Sequence, residues 1–274
     1  MTIEESDIVS DGFVRLYRQR TDIPFTPENI LNIEQDFTAL AKLHATVSSI
    51  MEEESQLAAR HPFAWNPEFG YVTARPEFCG TGLSISALFH LEGLHLIGDL
   101  DPTLNALHGL RMVVSGCCGS GMRDAAHIFR ITNRHHLGID ERDLAARVGR
   151  IFSDLVRQEA NARIRLVDEV PRVFEDAILR SLAILRSCRL LSDWELLDIV
   201  SPLRIAAEFG FLDHFSREEA LALMRSRISL TESSPPSTYE EQRERDKRDA
   251  ALADKVNKRF RNVRLNAYGK EILS

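Results

Sequence analysis

Cysteine is scarce in this chain, and long apolar runs and surplus positive charge are missing. The four cysteines, Cys79, Cys117, Cys118 and Cys188, two of them adjacent, make neither a disulfide framework nor a zinc-ligand spacing. No stretch is long and apolar enough for a membrane helix, and the acidic start, Met1 to Asp7, has no signal-peptide pattern. Lys and Arg number 34 against 41 Asp and Glu, a net charge of −7, which argues against a general binder of nucleic acid or anionic membrane. The expectation is a cytoplasmic protein with no nucleic-acid partner, no membrane partner and no metal site. What is present is 274 residues at 44% hydrophobic content, enough for one large domain or a domain with an appendage.

The most patterned stretch runs from Gly70 to Asn133. Leu83, Ile85, Ala87, Phe89 and Leu91 alternate with Ser84, Ser86, Leu88 and His90, so the period is two and the segment reads as a strand with one buried face. Met112 and Val114 share one face of the next strand, with Arg111, Val113 and Ser115 on the other. Ile128 to Asn133 makes a third strand-like segment, and glycine loops separate the three. A polar sheet face beside glycine loops can hold a small ligand. On pattern alone, a solvated outer face is the better expectation.

Phe69-Gly70-Tyr71-Val72-Thr73, Pro76, Gly80-Thr81-Gly82 and His90-Leu91 resemble the catalytic domain of the ATP:guanido phosphotransferases, and most closely their bacterial protein-arginine kinases. Gly116, Gly119 and Gly121, then Ile128-Phe129-Arg130-Ile131-Thr132-Asn133 and Leu137-Gly138, continue the match in order. Glu175-Asp176, Arg180-Ser181, Ile184-Leu185 and Gly210 extend it. The resemblance covers roughly Asp11 to Gly210 and rests on order and spacing. It implies an α+β fold, an antiparallel β-sheet flanked by helices, with helices concentrated in the C-terminal half. It also implies ATP and Mg²⁺ as cofactors if nucleotide binding is retained.

The departures from the family pattern bear on activity. Where the family carries phosphate-gripping arginines on two strands, this chain has Ser84 and Ser115. Where a loop carries a substrate-side Gly-Glu, it has Gly119-Ser120. Arg75 stands where the family has a cysteine beside the guanidinium, and Cys79 lies too far along to replace it. Phosphoryl transfer is mostly positioning and charge neutralisation. One lost charge-stabilising group typically costs about 2.7–4 kcal/mol of barrier. A fixed positive charge at Arg75 would also repel a cationic guanidinium. By resemblance, the nucleotide-binding positions are Arg15, Ser84, Ile85, Ser86, Ala87, Leu88, Ser115, Gly116, Cys117, Cys118, Gly119 and Ser120. Arg75 and Ser120 are vestigial substrate-side positions, and no residue is assigned as catalytic. Arg15, Arg75, Arg111 and Arg123 are the arginines that could meet phosphates by rearrangement.

Gly12 to Arg18 alternates like a strand, and Arg15 on it fits the family's ATP-contacting arginine. The family's acidic cluster before it has become Val9-Ser10-Asp11-Gly12-Phe13. The chain starts after the family's Ser-Ser-Arg-x-Arg segment, so the expectation is a short gene or a segment supplied by another chain. Thr26-Pro27-Glu28 predicts a helix start, with Leu31, Ile33, Phe37, Leu40, Leu43, Val47, Ile50 and Met51 as its apolar stripe up to Arg60. Asp140 caps a helix from Glu141, Pro171 to Leu185 forms another, and Ser192 caps a third, with further helices over Pro202 to Phe211 and Ser216 to Ser229.

The domain expectation is a catalytic-like unit over 1–230 with a helical subregion at about 139–230, a linker at 231–238, and a charged helical tail at 239–274. The tail's thin stripe of Ala250, Leu252, Val256 and Phe260 predicts a solvated, partly frayed helix. Its Arg245-Asp246-Lys247-Arg248-Asp249-Ala250 resembles the bacterial kinases' Arg-Asp-x-x-Arg-Ala, which forms a phosphoarginine-sensing pocket, with Asp249 in place of the second arginine. Three functions are therefore expected. The first is a degenerate guanidino kinase acting as regulator or scaffold, as a homodimer or paired with an active arginine kinase. The second is an active arginine phosphotransferase completed by a partner chain. The third is a module that reads phosphoarginine or a Clp-type protease partner.

Overall fold

Strands built on period-two alternation form the floor on which the helices pack. The structure, a computed structural model, describes residues 8–117, 125–134, 137–228 and 238–273. Strand β1 (Val9–Gln19) leads to β2 (Ile30–Phe37) and helix α1 (Leu43–Ala58). The short strands β3 (Trp65–Asn66) and β4 (Gly70–Tyr71) pair with each other before β5 (Leu83–His90). Helices α2 (Glu92–Leu96) and α3 (Leu100–Gly109) precede β6 (Met112–Gly116) and β7 (Ile128–Asn133). The sheet order is β2-β1-β5-β7-β6, with every neighbouring pair antiparallel. Helices α4 (Glu141–Asp168), α5 (Pro171–Ser187) and α6 (Asp193–Glu208) follow. The chain ends with β8 (Leu212–Asp213), α7 (Arg217–Ile228), α8 (Tyr239–Phe260), β9 (Arg264–Leu265) and α9 (Ala267–Leu273). This is the expected α+β class with a helical C-terminal half.

Two apolar cores meet at β5. Leu83, Ile85, Ala87 and Phe89 point to one side, where they join Val14, Leu16, Ile131, α1 and most of α4. Leu88 points to the other side, into a core of Phe174, Ile178, Leu203, Phe211 and Phe260 from the C-terminal helices. Both faces of β5 are thus covered, and Ser84, Ser86 and His90 are 9%, 0% and 3% exposed. The expected solvated outer face is overturned here: helix α6 covers its lower half, and neighbouring side chains cover Ser84 and Ser86.

Three further expectations are corrected. Ile30–Phe37 is a strand rather than helix, because Ile33 and Phe37 are buried while Asn32, Glu34 and Asp36 point outward, a period of two. The helix begins only at Leu43. Pro202 does not open a helix but lies inside α6, which runs unbroken from Asp193, with Ser192 accepting the Glu195 N–H as N-cap. Helix α8 is docked rather than frayed: Ala253, Val256 and Phe260 are buried, and Thr238 and Glu241 form a reciprocal capping box. The Leu191 N–H also donates to the Asp249 carbonyl. The serine- and proline-rich segment read as a linker falls almost wholly on 229–237, outside the described residues.

Candidate functional site

Strand register brings several predicted residues onto one side of the sheet. Arg15 lies opposite Glu34 on β2 and Ser84 on β5, and Phe13 lies opposite Asp36 and Ser86. Ser86 faces Thr132, Thr132 faces Val113, and Arg130 faces Ser115. Side chains directly opposite in an antiparallel pair stand about 4.5–5.5 Å apart at Cβ, so this is one continuous surface. Arg15 is ion-paired with Glu34, whose hydrogen bond holds the guanidinium pKa above its ordinary value. The Arg15 guanidinium stacks 4.1 Å from the Phe13 ring centre, and that of Arg130 lies 5.0 Å from the same ring. Beneath them the Ser86 and Thr132 hydroxyls bond each other at 2.8 Å.

The remaining predicted positions scatter. Ile85 and Ala87 face the opposite core and Leu88 the C-terminal core. Gly116 ends β6 opposite Phe129, and buried Cys117 donates its N–H to the Ile128 carbonyl. Cys118, Gly119, Ser120 and Arg123 lie outside the described residues. Arg75 is on an exposed turn, and its charge adds to the lowering of the Glu28 carboxyl pKa, which comes first from that residue's own backbone hydrogen bond. Arg111 lines a separate cleft of about 410 Å³ with His108, Met112 and Arg134.

The glycine loop before β5 is held by Arg18, a residue that motif comparison missed. Its side chain is 2% exposed, bonds Glu54 at 2.9 Å, donates to the Thr81 carbonyl at 2.8 Å and stacks 3.4 Å from the Tyr71 ring centre. Gly82 has φ +59°, and a Cβ there would lie 2.5 Å from the Tyr17 carbonyl oxygen, so the loop can approach β1 only with glycine. Arg130 was also missed, although Arg130 and Thr132 alternate with Phe129 and Ile131 in sequence and so belong to the polar face.

At the lower end of β5 a buried polar network joins the sheet to the helices. Arg163, fully buried, donates to Glu159 at 2.7 Å, to Glu208 at 2.5 Å and to His90 Nδ1 at 3.1 Å. Because arginine only donates, His90 Nδ1 accepts, and Nε2 carries the proton toward Ser201 Oγ at 2.7 Å. Ser201 in turn donates to Glu92 at 2.5 Å, which also receives His127 Nδ1 at 2.6 Å. Burial first, then Arg204 and Arg163, push the His90 pKa well below its ordinary value, while burial pushes Glu159 up. A serine wedged between histidine and carboxylate, with all three buried, is a structural junction and not a nucleophile with its base.

A second cleft, of about 340 Å³, lies between α6, α7 and α8. Arg227, Arg245 and Arg248 line it together with Asp193, Trp194 and Asp249. Arg227 pairs with Asp193 at 3.0 Å, and Arg245 reaches Asp249 at 3.9 Å. Asp246 is turned to Gln242 at 2.7 Å and is not among the lining residues.

Two family models match the sequence of this chain. The C-terminal catalytic domain of the ATP:guanido phosphotransferases matches residues 28–162, and the C-terminal domain of the protein-arginine kinase McsB matches 171–270. The chain belongs to the ATP:guanido phosphotransferase family. A protein-arginine kinase of Listeria welshimeri is 29% identical over 185 residues, covering 68% of this chain and 54% of that protein. One from Geobacillus stearothermophilus is 30% identical over 206 residues, covering 75% of this chain and 56% of that protein. The chain thus spans just over half the length of the curated relatives it matches. Among solved structures, the duplicated taurocyamine kinase from Schistosoma mansoni gives a TM-score of 0.48 at 12% identity, over 62% of this chain and 36% of that one. No helix among the described residues is long and apolar enough to cross a membrane.

Proposed function

We propose that this chain is a guanido phosphotransferase domain that engages nucleotide phosphates without transferring them, and that it acts as a regulator or scaffold for an active arginine kinase. The observation that supports this reading is the make-up of the polar sheet face. Two strand positions that carry arginine in the family are Ser84 and Ser115, and Arg15 is committed to Glu34. A serine hydroxyl can orient a phosphate oxygen but cannot neutralise the charge that spreads over a transferring phosphoryl group. ATP would supply that group, and Mg²⁺ would ride on its phosphates rather than in a protein cage. The residues fit the lesser role: Arg15 and Ser115 are partly exposed on that face while Ser84 and Ser86 are covered, and a guanidinium beside a hydroxyl suits phosphate oxygens. Calorimetry with Mg·ATP, followed by a labelled-phosphate transfer assay on an arginine-rich protein, tests both halves. Binding without transfer is expected. Transfer would show that the serines are not disabling, and no binding at millimolar ATP would leave only a scaffold.

A second reading is favoured by the α6–α8 cleft, where Arg227, Arg245 and Arg248 converge beside Trp194. Three guanidiniums suit a phosphoarginine, as the protein-arginine kinase relatives' name suggests, although Asp193 and Asp249 offset part of their charge. Titrating free phosphoarginine into the chain and into Arg245→Ala tests it. Saturable binding lost in the variant is expected, and a flat titration of the native chain rejects it.

A further inference from the structure

We propose that the edge of β6 is a docking site for an extended acidic peptide segment, which joins the sheet as a further strand; this stands apart from the nucleotide reading above. The sheet has two edge strands, β2 and β6. An edge strand offers a row of unpaired backbone donors and acceptors, which proteins commonly guard with charge. The β2 edge is guarded in this way, with Glu34 and Asp36 exposed on it. The β6 edge, Met112-Val113-Val114-Ser115-Gly116, carries no charge. The Arg134 N–H donates to the Arg111 carbonyl, and the Cys117 N–H to the Ile128 carbonyl. The bonds of an antiparallel ladder fall on alternate residues, so Val113 and Ser115 bond β7, while Met112 and Val114 turn their N–H and C=O groups away from it. No hydrogen bond to another described residue takes up the Val114 N–H or carbonyl.

The surroundings of that edge select the segment. At its start lies the cleft of about 410 Å³ lined by His108, Arg111, Met112 and Arg134, with no acidic residue among the four. The Arg111 N–H donates to the His108 carbonyl, and the Arg111 carbonyl accepts from Arg134, so backbone bonds hold the basic residues around the cleft. Arg134 is exposed, and its guanidinium makes no ion pair with another described residue. In a chain of net charge −7 this is a local excess of the opposite sign. Leu110 and Val113, 45% and 42% exposed, add apolar surface beside it. In strand addition the main-chain bonds supply affinity and the side chains supply selectivity. A segment that is acidic at one end and β-branched at the other meets all three features. Its backbone pairs with Val114, its carboxylates face the cleft, and its apolar side chains cover Val113.

The test is fluorescence anisotropy of a labelled peptide, Glu-Glu-Glu-Val-Thr-Val, with the native chain, Val114→Pro, Arg134→Glu and the surface control Arg180→Glu. Arg180 is paired with Asp176 on the exposed face of α5. Proline at 114 removes an outward N–H and leaves the β6–β7 ladder intact, as proline on an edge strand can. The native chain and the Arg180 variant are expected to bind the peptide saturably, and a version with lysine for glutamate should not bind. Val114→Pro and Arg134→Glu should each weaken binding by about ten-fold or more. Two further peptides carry N-methyl groups on their odd or their even amides. Only one set of amides can face β6, so one of the two should lose binding and the other keep it; this is the readout if the proline variant does not fold. A folded Val114→Pro that binds within about two-fold of the native chain, or two methylated peptides that bind alike, overturns strand addition, even if Arg134→Glu binds weakly. A native chain that binds nothing at millimolar peptide, or binds the lysine version equally, overturns the site itself.

Discussion

Replacing Arg163 with methionine should cost about 3–5 kcal/mol at pH 7.5, the range for breaking a buried ion pair from one side. Arg163 is 0% exposed and donates to Glu159, Glu208 and His90 at once. Methionine fills much of the volume, so packing loss is the smaller part. The larger part is that two buried carboxylates lose their cation. Glu159 would keep the N–H donors of Gly93 and Leu94, and Glu208 would keep Arg204 at 3.1 Å, which holds the loss below that of isolated charges. Domains typically have about 5–15 kcal/mol in total, so the variant would fold with little margin. The assay is urea unfolding of both proteins at pH 7.5 and at pH 5.5. Without Arg163 the native carboxyls hold protons more tightly than in the unfolded chain, so protonation on the acid side stabilises the variant, and its deficit should narrow. A loss under about 1 kcal/mol at pH 7.5, or a deficit that widens in acid, would refute the reasoning.

Two other outcomes follow from the same structure. Burial holds the His90 imidazole neutral, so below about pH 6.5 the unfolded chain takes up a proton that the native one refuses. The stability due to neutral His90 is full above that pH and falls by up to about 1.4 kcal/mol per pH unit below it. His90→Gln should flatten the stability profile between pH 6.5 and 5.5, and equal slopes in the two proteins would reject the assignment. Gly82→Ala should lower stability by at least about 2 kcal/mol, from the left-handed φ and the 2.5 Å approach to the Tyr17 carbonyl, and an unchanged thermal midpoint would show that the loop yields.

The strands nearest the site could be read from sequence because their alternation is strict. Leu83, Ile85, Ala87 and Phe89 on one side, and Phe13 and Arg15 between Val14 and Leu16, leave little choice of period. Residues 30–37 were misread because apolar residues at 31, 33, 37 and 40 satisfy a helical stripe as well as a strand, and only Glu34 and Asp36 outside Ile33 and Phe37 decide between them. The covering of β5 could not be read at all. His90 meets Ser201, 111 positions away, and no local pattern records a partner at that distance. At the site, position-by-position comparison with the family finds Arg15, Ser84 and Ser115. It overlooks Arg130, since a charge that reaches the same surface from the neighbouring strand leaves no mark at the position it serves.

The last residues of the chain close the C-terminal core. Strand β9 pairs with β8, Leu265 opposite Leu212, the Asn266 N–H donates to the Phe211 carbonyl, and Leu273 is fully buried. A chain emerging from the ribosome completes the sheet once Asn133 has appeared but has then to wait for some 140 residues before that seal can form. At 5–20 residues per second this is on the order of ten seconds. Leu88 and Ile128 are covered earlier, as α5 and α6 emerge, and it is Phe211, met by Asn266 and Tyr268 in the folded chain, that waits out the rest of the interval without its cover.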